Sequence, residues 1–159
     1  MKPITPHFWF TEKADEAAGF YVSVFPNSHM GHVAGVPSDT PSGPAGSVTV
    51  VDFTLNGQPF IAMSAGPYEP FTHAISFLVP CETQDEVDRY WDGLLQGGGK
   101  PEQCGWLRDR YGVSWQIVPT VLNQLMSDPD RVKAKRATDA MLKMVKLDIA
   151  ALRRAFDGE

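Results

Sequence analysis

The feature that most constrains the fold is an internal repeat with an offset of 69 residues, the separation of Tyr21 from Tyr90. At that offset Phe8 falls on Phe77, Phe10 on Val79, Ala14 on Thr83, Ala18 on Val87 and Phe25 on Leu94. The first members of each set alternate with period two, as in a strand with one buried face. The later ones recur with period 3.6, as in a helix with one buried stripe. A repeat that keeps both periods predicts two copies of one supersecondary unit. Each copy continues into short strands, so the expected fold class is α+β: paired βαβββ modules, with helices added at the C-terminus. Two such half-open sheets each leave a face without a helix and are expected to curl around a common cleft. The expected divisions are residues 1–66 and 67–119 for the modules and 120–159 for the helical extension, all within one structural domain.

Local signals place the elements. Residues 4–10 are predicted as the first strand, with Phe8 and Phe10 on one face and His7 and Trp9 on the other. Thr11 is the expected cap of a helix carrying Ala14, Ala17, Ala18, Tyr21, Val24 and Phe25. A weaker strand over 28–36 leads into a loop rich in Pro, Ser and Gly. The strand over 47–55 and its return over 58–64 are joined by Asn56-Gly57, a strong two-residue hairpin signal. In the second half, a strand over 73–81 precedes a capping box of Thr83 and Glu86. The helix behind it buries Val87, Tyr90, Trp91, Leu94 and Leu95. Gly97-Gly98-Gly99 follow that helix rather than open one, so they read as its C-terminal cap and not as a phosphate cradle.

The hairpin over 103–119 is the densest apolar stretch, with Trp106 and Trp115 on either side of a turn over 109–112. Cys104 is read as the start of its first strand. Beyond Pro119 a short helix over 121–126 is followed by a longer one, capped by Asp128 with Pro129 in its first position. Its stripe is Ala134, Ala137, Met141, Met144 and Val145, and a last helix presents Ile149, Leu152 and Phe156.

Composition excludes several functions. The net charge is −5 and the charges are scattered, which argues against nucleic acid or an anionic membrane as partner. The basic residues Arg131, Lys133, Lys135 and Arg136 read as a solvated helix face. No apolar run approaches the ~20 residues that span a bilayer, and the first residues lack the apolar region of a signal peptide. Cys81 and Cys104 make no disulfide framework. A cytoplasmic location with reduced, buried structural thiols is therefore expected. His29 and His32, three apart on one strand, should point to opposite faces. Asp52 either faces the cleft or lies on an open strand face.

Several stretches match a known pattern: Glu16-Ala17, Phe20-Tyr21 and Val24-Phe25-Pro26 in the first helix, and Phe53 to Gln58 at the hairpin. Ser76-Phe77, Cys81-Glu82-Thr83 and Glu86-Val87-Asp88 follow. The most specific are Gln103-Cys104-Gly105-Trp106 and Trp115 to Pro119. With these the chain resembles the glyoxalase, bleomycin-resistance and extradiol-dioxygenase superfamily, or vicinal oxygen chelate proteins. Within it the chain is similar to the PhnB-like branch, often labelled 3-demethylubiquinone methyltransferase-like. The resemblance extends over nearly the whole chain, C-terminal helices included, and implies a homodimer, commonly with elements exchanged between subunits.

Metal-dependent members of that superfamily use His or Glu at four inward positions. Here the resemblance places those positions at Thr5, Ile61, Ala74 and Gln116, which suit a divalent ion poorly, so no metal and no cofactor are expected. A shifted site using His7 and His73 is the alternative, and strand alternation disfavours it. A methyl donor would call for a glycine-rich turn after the first strand of a doubly wound sheet. Neither is present, so methyltransferase activity is not expected.

The expected function is binding of a small planar or apolar molecule in the cleft, by His7, Trp9, Met63, Ser76, Trp106 and Gln116. Trp9 and Trp106 would stack on the ligand, and His7 and Gln116 would orient it. No catalytic residue is assigned; an enzyme of this kind would be a lyase, isomerase or oxygenase. The rivals are a dimerisation module with a filled cavity and a metalloenzyme with a relocated site.

Overall fold

The computed structural model describes residues 4–159; the first three residues, part of the stretch read for a leader, lie outside the described residues. The chain divides into two compact units, Met1–Pro70 and Phe71–Glu159.

The first unit contains β1 (His7–Phe10), α1 (Ala14–Val24), β2 (His29–Gly35), β3 (Thr49–Leu55) and β4 (Gln58–Ser64). Its sheet has the order β1-β4-β3-β2, with β1 parallel to β4 and the other pairs antiparallel. Alternation along β1 works as the sequence requires: Phe8 and Phe10 are buried, His7 is exposed and Trp9 is half-buried. Phe8 packs edge-on against Tyr21 at 6.1 Å and meets Phe53 and Phe60 at 6.3 and 5.7 Å. The Ala14, Ala17, Ala18 and Tyr21 stripe of α1 is fully buried. Small alanines let the helix approach this aromatic layer closely.

Thr11 does not cap α1. The cap position is Lys13, in the left-handed region at φ 61, with no side-chain cap bond. The Ala14 N–H instead donates to Ser64 Oγ at 2.8 Å, so the end of β4 supplies the missing acceptor. Asn56 and Gly57 take φ 46 and 80, the two left-handed residues that a twisted two-residue hairpin demands.

The second unit contains β5 (Phe77–Cys81), α2 (Gln84–Leu95), β6 (Lys100–Pro101), β7 (Trp106–Arg108), β8 (Ser114–Pro119), α3 (Thr120–Met126), α4 (Arg131–Met141) and α5 (Ile149–Asp157). Its sheet order is β5-β8-β7-β6, with β5 parallel to β8. Each unit therefore runs strand, helix and three strands, with the first strand beside the last, which is the repeat expressed as topology.

Here the details depart from expectation. β5 begins at Phe77 rather than at His73, because the chain turns through His73 to Ser76. Thr83 Oγ1 accepts from the Glu86 N–H at 3.2 Å, but the Glu86 carboxylate reaches back one residue further than a standard box, to the Glu82 N–H at 2.6 Å. Cys104 is not in a strand. It sits half-buried at φ 59, and its N–H donates to Met144 O at 2.8 Å. Cys81 is buried as expected; burial first, and then Glu86 and Glu82, push its thiol up to about 12, so it stays protonated and inert.

The long C-terminal helix starts later than read. Asp130 caps α4, accepting from Val132 and Lys133, while Asp128 turns the chain by accepting from the Asp130 N–H. Pro129 thus precedes the cap. Met144 and Val145 lie beyond the end of α4, in a segment that runs alongside Cys104 and Gly105. Leu122, Leu125, Ala137, Leu147 and Leu152 form a cluster that holds the three helices together. No helix among the described residues is long and apolar enough to cross a membrane.

Lys146 fastens this segment to α2, with its ammonium 2.7 Å from Asp88 and 3.2 Å from Asp92. The Lys146 hydrogen bond, then that of Gln84, holds the Asp88 carboxyl below its ordinary value. Burial presses the Lys146 pKa down, but the Asp88 and Asp92 bonds outweigh it and leave it raised. A depressed carboxylate stabilises the fold above its unfolded value, and a raised ammonium below its own. The pair therefore contributes from about pH 4 to about pH 10. Its groups are partly solvated, so Lys146→Ala should cost at most about 1 kcal/mol at pH 7 in urea titrations. The loss should vanish as pH falls through the Asp88 titration.

Candidate functional site

In the second unit the helix α2 covers only one side of the sheet. Trp115 and Ile117 of β8 are buried, while Gln116 between them points to the side away from α2. Cross-strand register puts Trp106 beside Gln116 and Arg108 beside Ser114, so these four side chains share that face. Leu78, opposite Gln116 on β5, is 55% exposed there. Gln116 Nε2 donates to Ser76 Oγ at 2.8 Å, which ties the loop before β5 to the centre of the face.

At one edge of the face lies a polar network outside the set of site residues expected from the sequence. Arg108 Nη2 is 2.7 Å from His73 Nε2, and Ser114 Oγ is 3.0 Å from His73 Nδ1. Glu102 Oε1 is 3.3 Å from the same Nε2 and 3.9 Å from Arg108. Trp106 presents its ring edge-on to His73 at 5.9 Å. His73, Glu102, Gln103 and Trp106 line an open cleft of about 380 Å³. A signal for the network was present in the sequence. Arg108 lies two residues after Trp106 and Ser114 two before Gln116, so strand parity already put them on the face of the predicted site.

The three predicted site residues of the first unit also share a face. His7 pairs with Ile61 and Trp9 with Met63 along the β1–β4 ladder, on the side away from Phe8. Trp9 is already engaged: its indole donates to Gly66 O at 2.9 Å and its ring stacks on Tyr68 at 4.8 Å. A second cleft of about 380 Å³ opens on this unit, lined among others by Thr5, His29, His32, Asp52 and Ile61. The expectation that His29 and His32 diverge is wrong. Met30 pairs with Phe53 but Val33 with Val51, so β2 carries an extra residue, and this bulge returns His32 to the side of His29. Asp52, whose direction the sequence left open, lines the same cleft. Among the described residues, no group of three or more His, Cys, Asp or Glu is placed to hold a metal ion.

Comparison with protein families gives a match over residues 2–118 to the family described as 3-demethylubiquinone-9 3-methyltransferase. The chain belongs to this family. It is the PhnB-like branch of the vicinal oxygen chelate superfamily. A solved PhnB protein from Bacillus cereus bearing the same family label is 34% identical, with TM-score 0.63, covering 75% of this chain and 100% of its own. Protein PA1353 from Pseudomonas aeruginosa shares the fold at 20% identity and TM-score 0.56, covering 75% of this chain and 98% of its own. No curated protein matches. The family match stops before α3, so the wider resemblance read from the sequence, C-terminal helices included, is not supported beyond β8. The family name is a label: neither four-stranded sheet is the doubly wound sheet on which such methyl donors sit.

Proposed function

We propose that this PhnB-like protein binds a small planar molecule on the face of its second sheet away from α2, with Trp106 as the stacking surface and Gln116 and Ser76 as orienting polar groups. The observation that carries this reading is the Gln116–Ser76 hydrogen bond on the same face as a half-buried Trp106, beside an open cleft. An aromatic ring with one wet side and a few fixed polar neighbours suits a flat ligand. His7, Trp9 and Met63 form the corresponding set on the first unit, where Tyr68 already occupies one side of Trp9.

The binding is proposed to be metal-free. At the four superfamily positions, Ile61 and Ala74 offer no lone pair, and Thr5 and Gln116 are neutral oxygen donors, so the donor set does not fit a divalent ion. The protein is further proposed to act as a cytoplasmic homodimer, which light scattering of the purified chain checks.

The test uses 2-methoxynaphthalene, a flat ligand without a hydrogen-bond donor, followed by the shift of the Trp106 indole N–H in nitrogen–proton spectra. Wild type should show saturable binding, and Trp106→Ala, followed instead through the side-chain amide of the neighbouring Gln116, should weaken it about tenfold. Prior treatment with a chelator should leave the affinity unchanged. Saturable binding that disappears after chelation would overturn the metal-free reading and favour a relocated metal site.

A further inference from the structure

Resting on the reading of a planar ligand at Trp106, we propose that the adjoining cleft selects rings that carry a hydroxyl, held by donation from that hydroxyl to Glu102. The argument begins with the proton on His73. A guanidinium only donates, so with Arg108 Nη2 at 2.7 Å the Nε2 atom must offer its lone pair. The ring proton then belongs on Nδ1, where it donates to Ser114 Oγ at 3.0 Å. This tautomer is assigned from the partners on both sides.

The consequence falls on Glu102. Its Oε1 lies 3.3 Å from an Nε2 that has no proton to give, and the nearest guanidinium nitrogen is 3.9 Å away, an ion-pair separation beyond hydrogen-bond length. Among the described residues nothing donates a hydrogen bond to this carboxylate, although it is only 31% exposed and lines the cleft. A carboxylate at the cleft wall that no protein group bonds keeps its acceptor capacity for a donor that enters the cleft and displaces water.

Charge narrows the choice of donor. Arg108 already compensates Glu102, so a second cation would be repelled by the guanidinium and an anion by the carboxylate. A neutral donor remains, and an O–H donating to a carboxylate makes a shorter, stronger bond than most. Trp106 beside it supplies the apolar surface for the ring that carries the hydroxyl. A site built to accept such a proton discriminates sharply against the methyl ether, which leaves the acceptor unpaired.

The experiment compares 2-naphthol with 2-methoxynaphthalene on the same Trp106 indole signal. Wild type should bind the naphthol about tenfold or more tightly than the ether. Glu102→Ala should remove that preference while keeping the ether affinity, which also reports that the variant is folded. Equal affinities in wild type would overturn the hydroxyl selection and leave the planar-ligand reading standing. So would a preference that survives in Glu102→Ala. Absence of any saturable shift with either compound would end the planar-ligand reading, and the hydroxyl selection with it.

Discussion

Asp109→Ala should lower the stability of the protein by about 3–4 kcal/mol, measured as the loss in unfolding free energy in urea. The carboxylate is 4% exposed and organises the turn between β7 and β8. Oδ1 accepts from the Tyr111 N–H at 2.8 Å and the Val113 N–H at 3.0 Å, and Oδ2 accepts from the Trp115 indole at 2.8 Å. Truncation strands these donors, two of them in buried surroundings, at about 1–3 kcal/mol each, offset where water can enter. Asp109→Asn is the informative companion. Its amide oxygen can still serve the two backbone donors, but its NH₂ then faces the indole N–H, so the cost should fall to about 1–2 kcal/mol. Equal losses in the two variants would show that the charge, and not the acceptor geometry, holds the turn.

That carboxylate also marks the limit of what the chain discloses as a string. The periodic positions were legible: Phe8, Tyr21, Val87, Leu94 and Ile117 are buried where the two periods put them, because burial of one face follows from the spacing alone. The shared topology of the halves followed from the repeat. Asp109 was read only as a turn former, since its burial depends on Trp115 returning across the hairpin to meet it. The cap of α1 was misplaced for a related reason, its acceptor being Ser64 on a strand far along the chain. Simple alternation sets His29 and His32 on opposite faces, and one bulged residue inverts it. For the candidate site, parity gave Trp106 and Gln116 their common face. The His73–Glu102–Arg108 network is not legible there, because His73 lies outside the strand, where no period fixes its direction. Contacts set by period are written locally; contacts set by loops meeting strands are not.

Gly105 carries the second large effect, and it tests whether the C-terminal segment is structurally part of the second unit. The residue has φ 80, its N–H donates to Val145 O at 2.8 Å, and its carbonyl accepts from the Ile117 N–H at 2.8 Å. A Cβ there would stand 2.7 Å from Ile117 O and 2.9 Å from Leu147 Cδ1. The carbonyl belongs to a paired strand and cannot retreat, so relief must come from Leu147, a fully buried member of the cluster that joins α3, α4 and α5. Gly105→Ala should therefore cost about 3 kcal/mol in urea unfolding, combining left-handed strain with displacement of that cluster. Gly66→Ala supplies the control, with nearly the same φ of 79 and nothing within 4 Å of the added carbon; it should cost only about 1 kcal/mol. The excess in Gly105→Ala should appear as faster amide exchange in α3, α4 and α5 ahead of the sheet. Equal costs for the two glycines, with the helices still protected, would mean that the segment through Val145 and Leu147 yields freely, and that the extension rests on the unit without being locked to it.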